Sequence, residues 1–191
     1  MRNTSILFTT FYPDTLGKKF IDTLLEYNDH VEVIKIDQSV HRAPSRSAAF
    51  NSGFKSANGE VLLFCDDDIE WTGRVEIPEA RLFGPALAYN DPLGQDWLDG
   101  WCIGVDRRLF LTVGGFDENF VNSGHQEIDF VRKCIYAGVD PVQWENFPGV
   151  HLGAATKYEI NKDHSDTWKD NLQYLIDKWQ IDWRKDERNT D

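Results

Sequence analysis

Long apolar runs are missing from this sequence. Nowhere do about 18 consecutive apolar residues occur, and the opening MRNTSILFTTF holds only a short run without the core of a signal peptide. No membrane-spanning helix is expected. Cysteine is scarce as well: Cys65, Cys102 and Cys134 lie far apart, with no CxxC pair and no even set for a disulfide framework. A reducing, cytoplasmic setting is the expectation. Basic residues are few beside acidic ones, 20 Lys and Arg against 32 Asp and Glu, for a formal net charge of −12, and they are scattered. Nucleic-acid backbones are bound by clustered cations, so no nucleic-acid partner is expected. Internal repeats and low-complexity tracts are absent too.

What remains is the composition of an ordinary folded domain. The 191 residues are 41% hydrophobic and 13% aromatic, enough apolar surface to offset the entropy of ordering. Short β-branched runs at Ser5–Thr10 and Val31–Asp37 flank a stretch, Leu16–Glu26, that puts Leu16, Phe20, Leu24 and Leu25 on one helical face. A helix over Ser45–Ala57 is predicted to stop at Asn58-Gly59, before the buried strand Glu60–Cys65. Repeated β-α-β units imply an α/β fold with a mostly parallel, doubly wound sheet. Beyond it the sequence is loop-rich through Pro92-Leu93-Gly94, with one strand near Ala86–Tyr89. A strand at Trp101–Val105, a helix at Arg107–Val113, the turn Gly114-Gly115 and a helix at Gln126–Ala137 follow.

The chemistry concentrates after the buried strand, in Asp66-Asp67-Asp68. Side chains two apart on a strand share a face, so Asp66 and Asp68 are predicted to converge and Asp67 to point elsewhere. Open α/β sheets bind ligands beyond the carboxyl ends of their strands, where this triplet falls. Such a cluster could also be a simple acidic turn. Three adjacent carboxylates repel one another, however, and call for a cation.

Arg46, Asn51-Ser52-Gly53 and then Ala57-Asn58-Gly59-Glu60, an apolar strand and Asp66-Asp67-Asp68 together resemble the donor half of family-2 GT-A glycosyltransferases, with their D-x-D motif. The resemblance covers roughly residues 5 to 155 and rests on the order of several motifs. It implies a compact GT-A, or nucleotide-diphospho-sugar transferase, fold. Asp68 and Asp66 would bind Mn²⁺ or Mg²⁺, Asp66 also lying near the donor ribose with Asp67 in the variable middle position. Thr9-Thr10-Phe11-Tyr12 and Asp37-Gln38-Ser39 would hold the nucleobase, Thr10, Phe11 and Asp37 among them. His151 resembles the late histidine that completes the metal site. Arg46 would add charge near the diphosphate, or be a solvated arginine at a helix start.

Downstream, Arg107-Arg108-x-Phe110 and Gly114-Gly115-Phe116-Asp117-Glu118-x-Phe120 resemble the acceptor-side segment, and Gly124-His125-Gln126-Glu127-Ile128-Asp129 stands where the catalytic acidic motif follows. The usual Glu-Asp pair appears as Gln126-Glu127, leaving Glu127 or Asp129 as the general base. Ser123-x-x-Gln126 also reads as a helix capping box. Trp97 and Trp101 could stack on an acceptor sugar or pack in the core.

Residues 1–160 are thus expected to form one GT-A-like domain, with residues 161–191 a C-terminal amphipathic helix and charged tail packed on it. Trp168, Leu172, Leu175, Ile176 and Trp179 form the helix's apolar stripe, which could instead touch a membrane surface. The activity implied is a hexosyltransferase's: transfer of a sugar from a UDP- or GDP-sugar to a glycan, lipid or protein hydroxyl, with inversion. The alternatives are a nucleotide-sugar-binding protein without turnover and a sugar nucleotidyltransferase. The nucleotidyltransferase would need a Gly-rich basic loop after the first strand, where this chain has FYPDTLGKK.

Overall fold

The computed structural model describes residues 2–39, 43–88, 96–122, 124–153 and 164–180, the side chains of 164–166 excepted. It opens with β1 (Thr4–Thr10), α1 (Leu16–Tyr27), β2 (Glu32–Asp37), α2 (Arg46–Phe54) and β3 (Val61–Asp66). β2 and β3 both pair parallel with β1. Strand periodicity sorts their apolar residues onto two faces. Ile6, Phe8, Val61, Leu63 and Cys65 pack with Phe20 and Leu24 of α1, whereas Leu7, Leu62 and Phe64 pack with Phe50 of α2 on the other side. A strand buried on both faces must be apolar throughout, which is why β3 reads as an unbroken hydrophobic run.

The segment expected to be mostly loop contains β4 (Ile69–Trp71), β5 (Leu82–Gly84) and β6 (Leu87–Ala88), the last pairing antiparallel with β7 (Trp97–Leu98). Then come β8 (Cys102–Asp106), α3 (Arg107–Val113), α4 (Gln126–Tyr136), β9 (Val142–Gln143), β10 (Gly149–His151) and α5 (His164–Trp179). The main sheet runs β2-β1-β3-β8-β5-β9, and β8 alone opposes the direction of the others. The sheet is mostly parallel, as expected, with β8 as the exception. Gly104 on β8 lies against the ring of Phe83, where a Cβ would stand 2.2 Å from Cε2. β4 and β10 form a separate antiparallel pair.

α3 is capped by Asp106, which accepts from the backbone N–H groups of Arg108 and Leu109, and ends at Gly114 with φ of 80°. α4 starts later than a capping box at Ser123 would place it. Its N-cap is His125, with φ of 66°, and Gln126 reaches back to accept from the Gly124 N–H. Ser123 itself lies outside the described residues, as do Tyr89, the turn at 92–94, the boundary between 160 and 161, and the tail from Arg184.

α5 packs on the body through part of the expected stripe. Leu175 is buried, with Trp179 packed beside it, and Asn171 joins them, whereas Trp168 stays 49% exposed. The Asn171 carboxamide accepts from Val121 N–H and donates to the carbonyls of Val121 and Gly124, satisfying a loop that sheet and helix leave unpaired. That demand adds Asn171 to the docking face, while Leu172 and Ile176 stay half-buried. Among the described residues no helix is long and apolar enough to cross a membrane.

Candidate metal and donor site

The parallel register lines up the carboxyl ends of the first three strands. Thr10 pairs with Asp37, and Thr9 with Asp66, so Thr10, Asp37 and Asp66 share one edge of the sheet. Phe11 leaves the sheet directly after Thr10. Asp37 caps its own turn, accepting from the N–H and hydroxyl of Ser39. Gln38 is buried and its side-chain carbonyl accepts from Ala43 N–H at 2.8 Å.

Asp66 is the last residue of β3, and Asp67 and Asp68 form a turn into β4. Asp66 and Asp68 converge, but the turn brings them together rather than strand alternation. Asp67 is buried and stands outside the converging group. The third member is His151. Antiparallel pairing sets His151 opposite Ile69, and Leu152 N–H donates to the Asp68 carbonyl at 2.9 Å. His151 Nε2 then lies 3.2 Å from Asp68 Oδ1. Ligand atoms of Asp66, Asp68 and His151 all fall within 4.8 Å of one another.

The His151 ring is also braced from the side, lying parallel to the Trp101 indole with centroids 4.6 Å apart. Trp101 in turn meets Phe147 edge-on. The hydrogen bond to Asp68 raises the imidazole pKa above its ordinary value despite burial, with Asp66 and Asp99 adding their negative fields. Sequence reasoning offered Trp101 only as an acceptor platform or core residue and missed Asp99 and Gly100 altogether, because no metal-ligand spacing marks this segment.

Arg46 reaches the cluster from the first turn of α2, whose N-cap Ser45 accepts from Ala48 N–H. Its Nη2 stands 2.6 Å from Asp66 Oδ1 and also donates to the Gly100 carbonyl, while the guanidinium lies over the Phe50 ring. The solvated-arginine reading does not describe this side chain, which is only 15% exposed. Glu127 meets the same spot. A methyl group on Gly100 would stand 3.1 Å from Arg46 Nη1 and 3.3 Å from Glu127 Cδ. Gly100 therefore permits Arg46 and Glu127 to close on one stretch of backbone beside Asp66.

Asp129 is not brought to this cluster. It is fully buried and bound to α5, accepting from Trp179 Nε1 at 2.8 Å with Lys178 Nζ at 2.7 Å. The thiols take no part either. Cys65 and Cys102 are buried side by side at 3.7 Å, and burial pushes Cys134 up to about 12.

Two carboxylates and one imidazole on adjoining backbone turns suit a divalent cation that accepts oxygen and nitrogen ligands, Mn²⁺ better than Mg²⁺. Burial of Asp68 beside a second carboxylate favours such an ion, since the two repel unless a positive charge intervenes. Beside the three candidate ligands, the Arg46 guanidinium and the Glu127 carboxylate close on Gly100.

No protein-family model matches the chain, and no curated protein matches it by sequence. Solved structures do. The catalytic domain of Drosophila β1,4-galactosyltransferase 7, in complex with xylobiose, matches at 17% identity and a TM-score of 0.58, over 80% of this chain and 71% of that one. The mannosyltransferase of Pyrobaculum calidifontis, in complex with GDP-mannose and Mn²⁺, matches at 15% identity and a TM-score of 0.64, over 92% of this chain and 62% of that one. GalNAc-T7 with UDP, GalNAc and Mn²⁺ matches at 11% identity and a TM-score of 0.65, over 96% of this chain and 50% of that one. The chain thus spans less than two-thirds of the second and third of these. What the likeness establishes is the fold, which is the GT-A fold.

Proposed function

We propose that this chain is a metal-dependent glycosyltransferase, moving a sugar from a nucleoside-diphosphate donor to an acceptor hydroxyl. The observation that carries the reading is the meeting of Asp66, Asp68 and His151 within 4.8 Å at the carboxyl edge of a GT-A sheet. Similar structures hold UDP or GDP-mannose with Mn²⁺, which supports a nucleotide-sugar donor and Mn²⁺ here.

In this reading Asp66, Asp68 and His151 hold the cation, which supplies Lewis-acid stabilisation to the departing diphosphate. Thr10, Phe11 and Asp37 line the nucleobase end of the same sheet edge, with Asp67 behind the ribose. Arg46 orients Asp66 and offers its remaining donors to a phosphate oxygen, a task suited to the planar guanidinium. Glu127 takes the proton of the acceptor hydroxyl. It stands in the first turn of α4, and its side chain lies beside Gly100. Asp129, held by Lys178 and Trp179, is not assigned this task. A base acting directly on the acceptor fits a single displacement, and so inversion.

The test is hydrolysis and transfer with a panel of UDP- and GDP-sugars, in Mn²⁺, in Mg²⁺ and in chelator. Mn²⁺-dependent release of UDP or GDP is expected. If no donor binds or reacts in either metal, the reading fails. Tight metal-dependent binding with no release would instead identify a nucleotide-sugar-binding protein.

A further inference from the structure

Among the described residues, one tryptophan is left about half exposed, and it lies against the loop that leads into the helix of Glu127. This is Trp168, in the first turns of α5, 49% exposed. The other described tryptophans are engaged. Trp71 and Trp144 are buried, Trp97 packs against the core, Trp101 carries His151 on its face, and Trp179 stacks on Tyr136.

Trp168 is held firmly despite its exposure. Its ring centroid is 4.5 Å from that of His125, the N-cap of α4. Its edge rests on Gly124, where a Cβ would stand 3.1 Å from Cδ1, at a backbone φ of 113° that already favours glycine. One turn along, the buried Asn171 fixes α5 to the Val121 and Gly124 backbone. Asn122 donates to the Thr167 hydroxyl beside Trp168, the His125 imidazole lies against the ring, and the exposed Lys169 and Asp170 that follow it in the chain are of opposite charge. The same loop reaches the donor side, since the Asn122 carbonyl accepts from Arg46 N–H at 2.8 Å.

A firmly held, half-exposed indole with an imidazole against it and an amide and a hydroxyl nearby is suited to the apolar face of a pyranose, whose C–H bonds meet the ring while its hydroxyls meet the polar groups around it. A lipid chain would need a longer apolar surface than one ring, and an anionic membrane would meet a chain of net charge −12. We propose that Trp168 is the stacking platform for the acceptor, and that the acceptor is a neutral saccharide. This rests on the glycosyl-transfer reading above and narrows it, displacing Trp97 and Trp101 as the stacking residues.

The test titrates protein labelled with ¹⁵N at its indoles with methyl β-glucoside, cellobiose and lactose, with UDP and Mn²⁺ present and absent. The Trp168 indole resonance is assigned by its loss in Trp168→Phe. At least one saccharide is expected to shift that resonance saturably. Its affinity should fall about tenfold in Trp168→Ala and largely recover in Trp168→Phe, the size of one aromatic contact. Three results would each overturn the proposal: no saccharide shifts the indole, Trp168→Ala binds saccharide as well as the unaltered chain, or the indole responds only to phosphatidylglycerol vesicles. Donor hydrolysis by the unaltered chain is scored separately, so a chain that turns over donor but ignores saccharides loses this inference and keeps the function proposed above.

Discussion

The guanidinium of Arg46 stands 2.6 Å from the Asp66 carboxylate, so the first turn of α2 carries the fixed cation of the acidic edge. Both side chains are well shielded, Arg46 the more so. Removing the guanidinium in Arg46→Ala leaves Asp66 beside Asp68 without its counter-charge and takes a donor away from the phosphates. kcat/KM for the nucleotide sugar should fall by about 10- to 100-fold, within the usual cost of truncating one half of a shielded charge pair. Arg46→Lys should recover only part, because an ammonium cannot serve Asp66 and the Gly100 carbonyl as one planar fork. Calorimetric UDP titration in Mn²⁺ checks the binding share. Equal affinities for all three proteins would remove Arg46 from the donor site.

Asp68 and His151 offer a cleaner test of the metal. Loss of an outer partner of a metal ligand commonly costs about 10- to 100-fold in affinity, and loss of a ligand should cost at least as much. Asp68→Asn and His151→Ala should each weaken Mn²⁺ binding by about 100-fold or more on that scale, read by the paramagnetic signal of free Mn²⁺. The rise in melting temperature given by UDP with Mn²⁺ should vanish with it. Wild-type Mn²⁺ affinity in both variants would mean that the ion sits elsewhere.

The acidic cluster of the candidate site was legible because its signals are local. The β3 run and the three aspartates lie consecutively in the chain, and the register that aligns Asp66 with Thr9 follows from the β-α-β repeat. His151 was found only through a resemblance. What carries it to Asp68 is a three-residue pairing of β10 with β4, too short to show periodicity. Gly100 is a related case: its importance is the space it leaves for Arg46 and Glu127, which no spacing in one sequence reveals. The stripe on α5 was legible in part, since Leu175 is buried and Trp179 packs beside it. Helical periodicity ranks residues by apolarity, however, whereas the backbone around Val121 and Gly124 demanded an amide, and Asn171 took a buried place that no apolar pattern marks.

Glu127 and Asp129 are two residues apart and should separate sharply on substitution. Glu127→Gln keeps the shape beside Gly100 but cannot accept a proton, so kcat should fall by about 100- to 10,000-fold, the typical yield of general base catalysis. Donor KM should change little. Asp129→Asn should act on stability instead, because it removes the charge of a fully buried carboxylate paired with the part-exposed Lys178. A loss of about 2 kcal/mol is expected for a pair buried on one side only, or roughly 6 °C in melting temperature for a domain of this size. A folded Asp129→Asn protein with a large kcat defect, beside an active Glu127→Gln, would reverse the assignment.

The docking of α5 should carry its own pH dependence, and the sign follows from Asp117. Burial raises the pKa of this carboxyl, but hydrogen bonds from Lys178, the Asn119 backbone and Tyr174 outweigh that, lowering it from 3.8 to about 2. A carboxyl with a depressed folded pKa stabilises the fold fully above its unfolded value. That stability is lost as pH falls through the window between 3.8 and about 2. Lys178 sets the opposite limb. Burial lowers its pKa, yet bonds to Asp117 and Asp129 raise it overall above 10.5, so its contribution persists through neutral pH and is lost only in strong alkali. The protection of the α5 amides against hydrogen exchange, taken relative to an unstructured peptide at the same pH, should therefore be high and flat across neutral pH and should fall on acidification below about 4, close to the unfolded carboxyl value. Asp117→Asn should flatten the acid limb and reduce the alkaline one, since Asp129 alone then holds the Lys178 charge. If the variant keeps the full acid response, the latch between Asp117 and Lys178 is not what holds the helix.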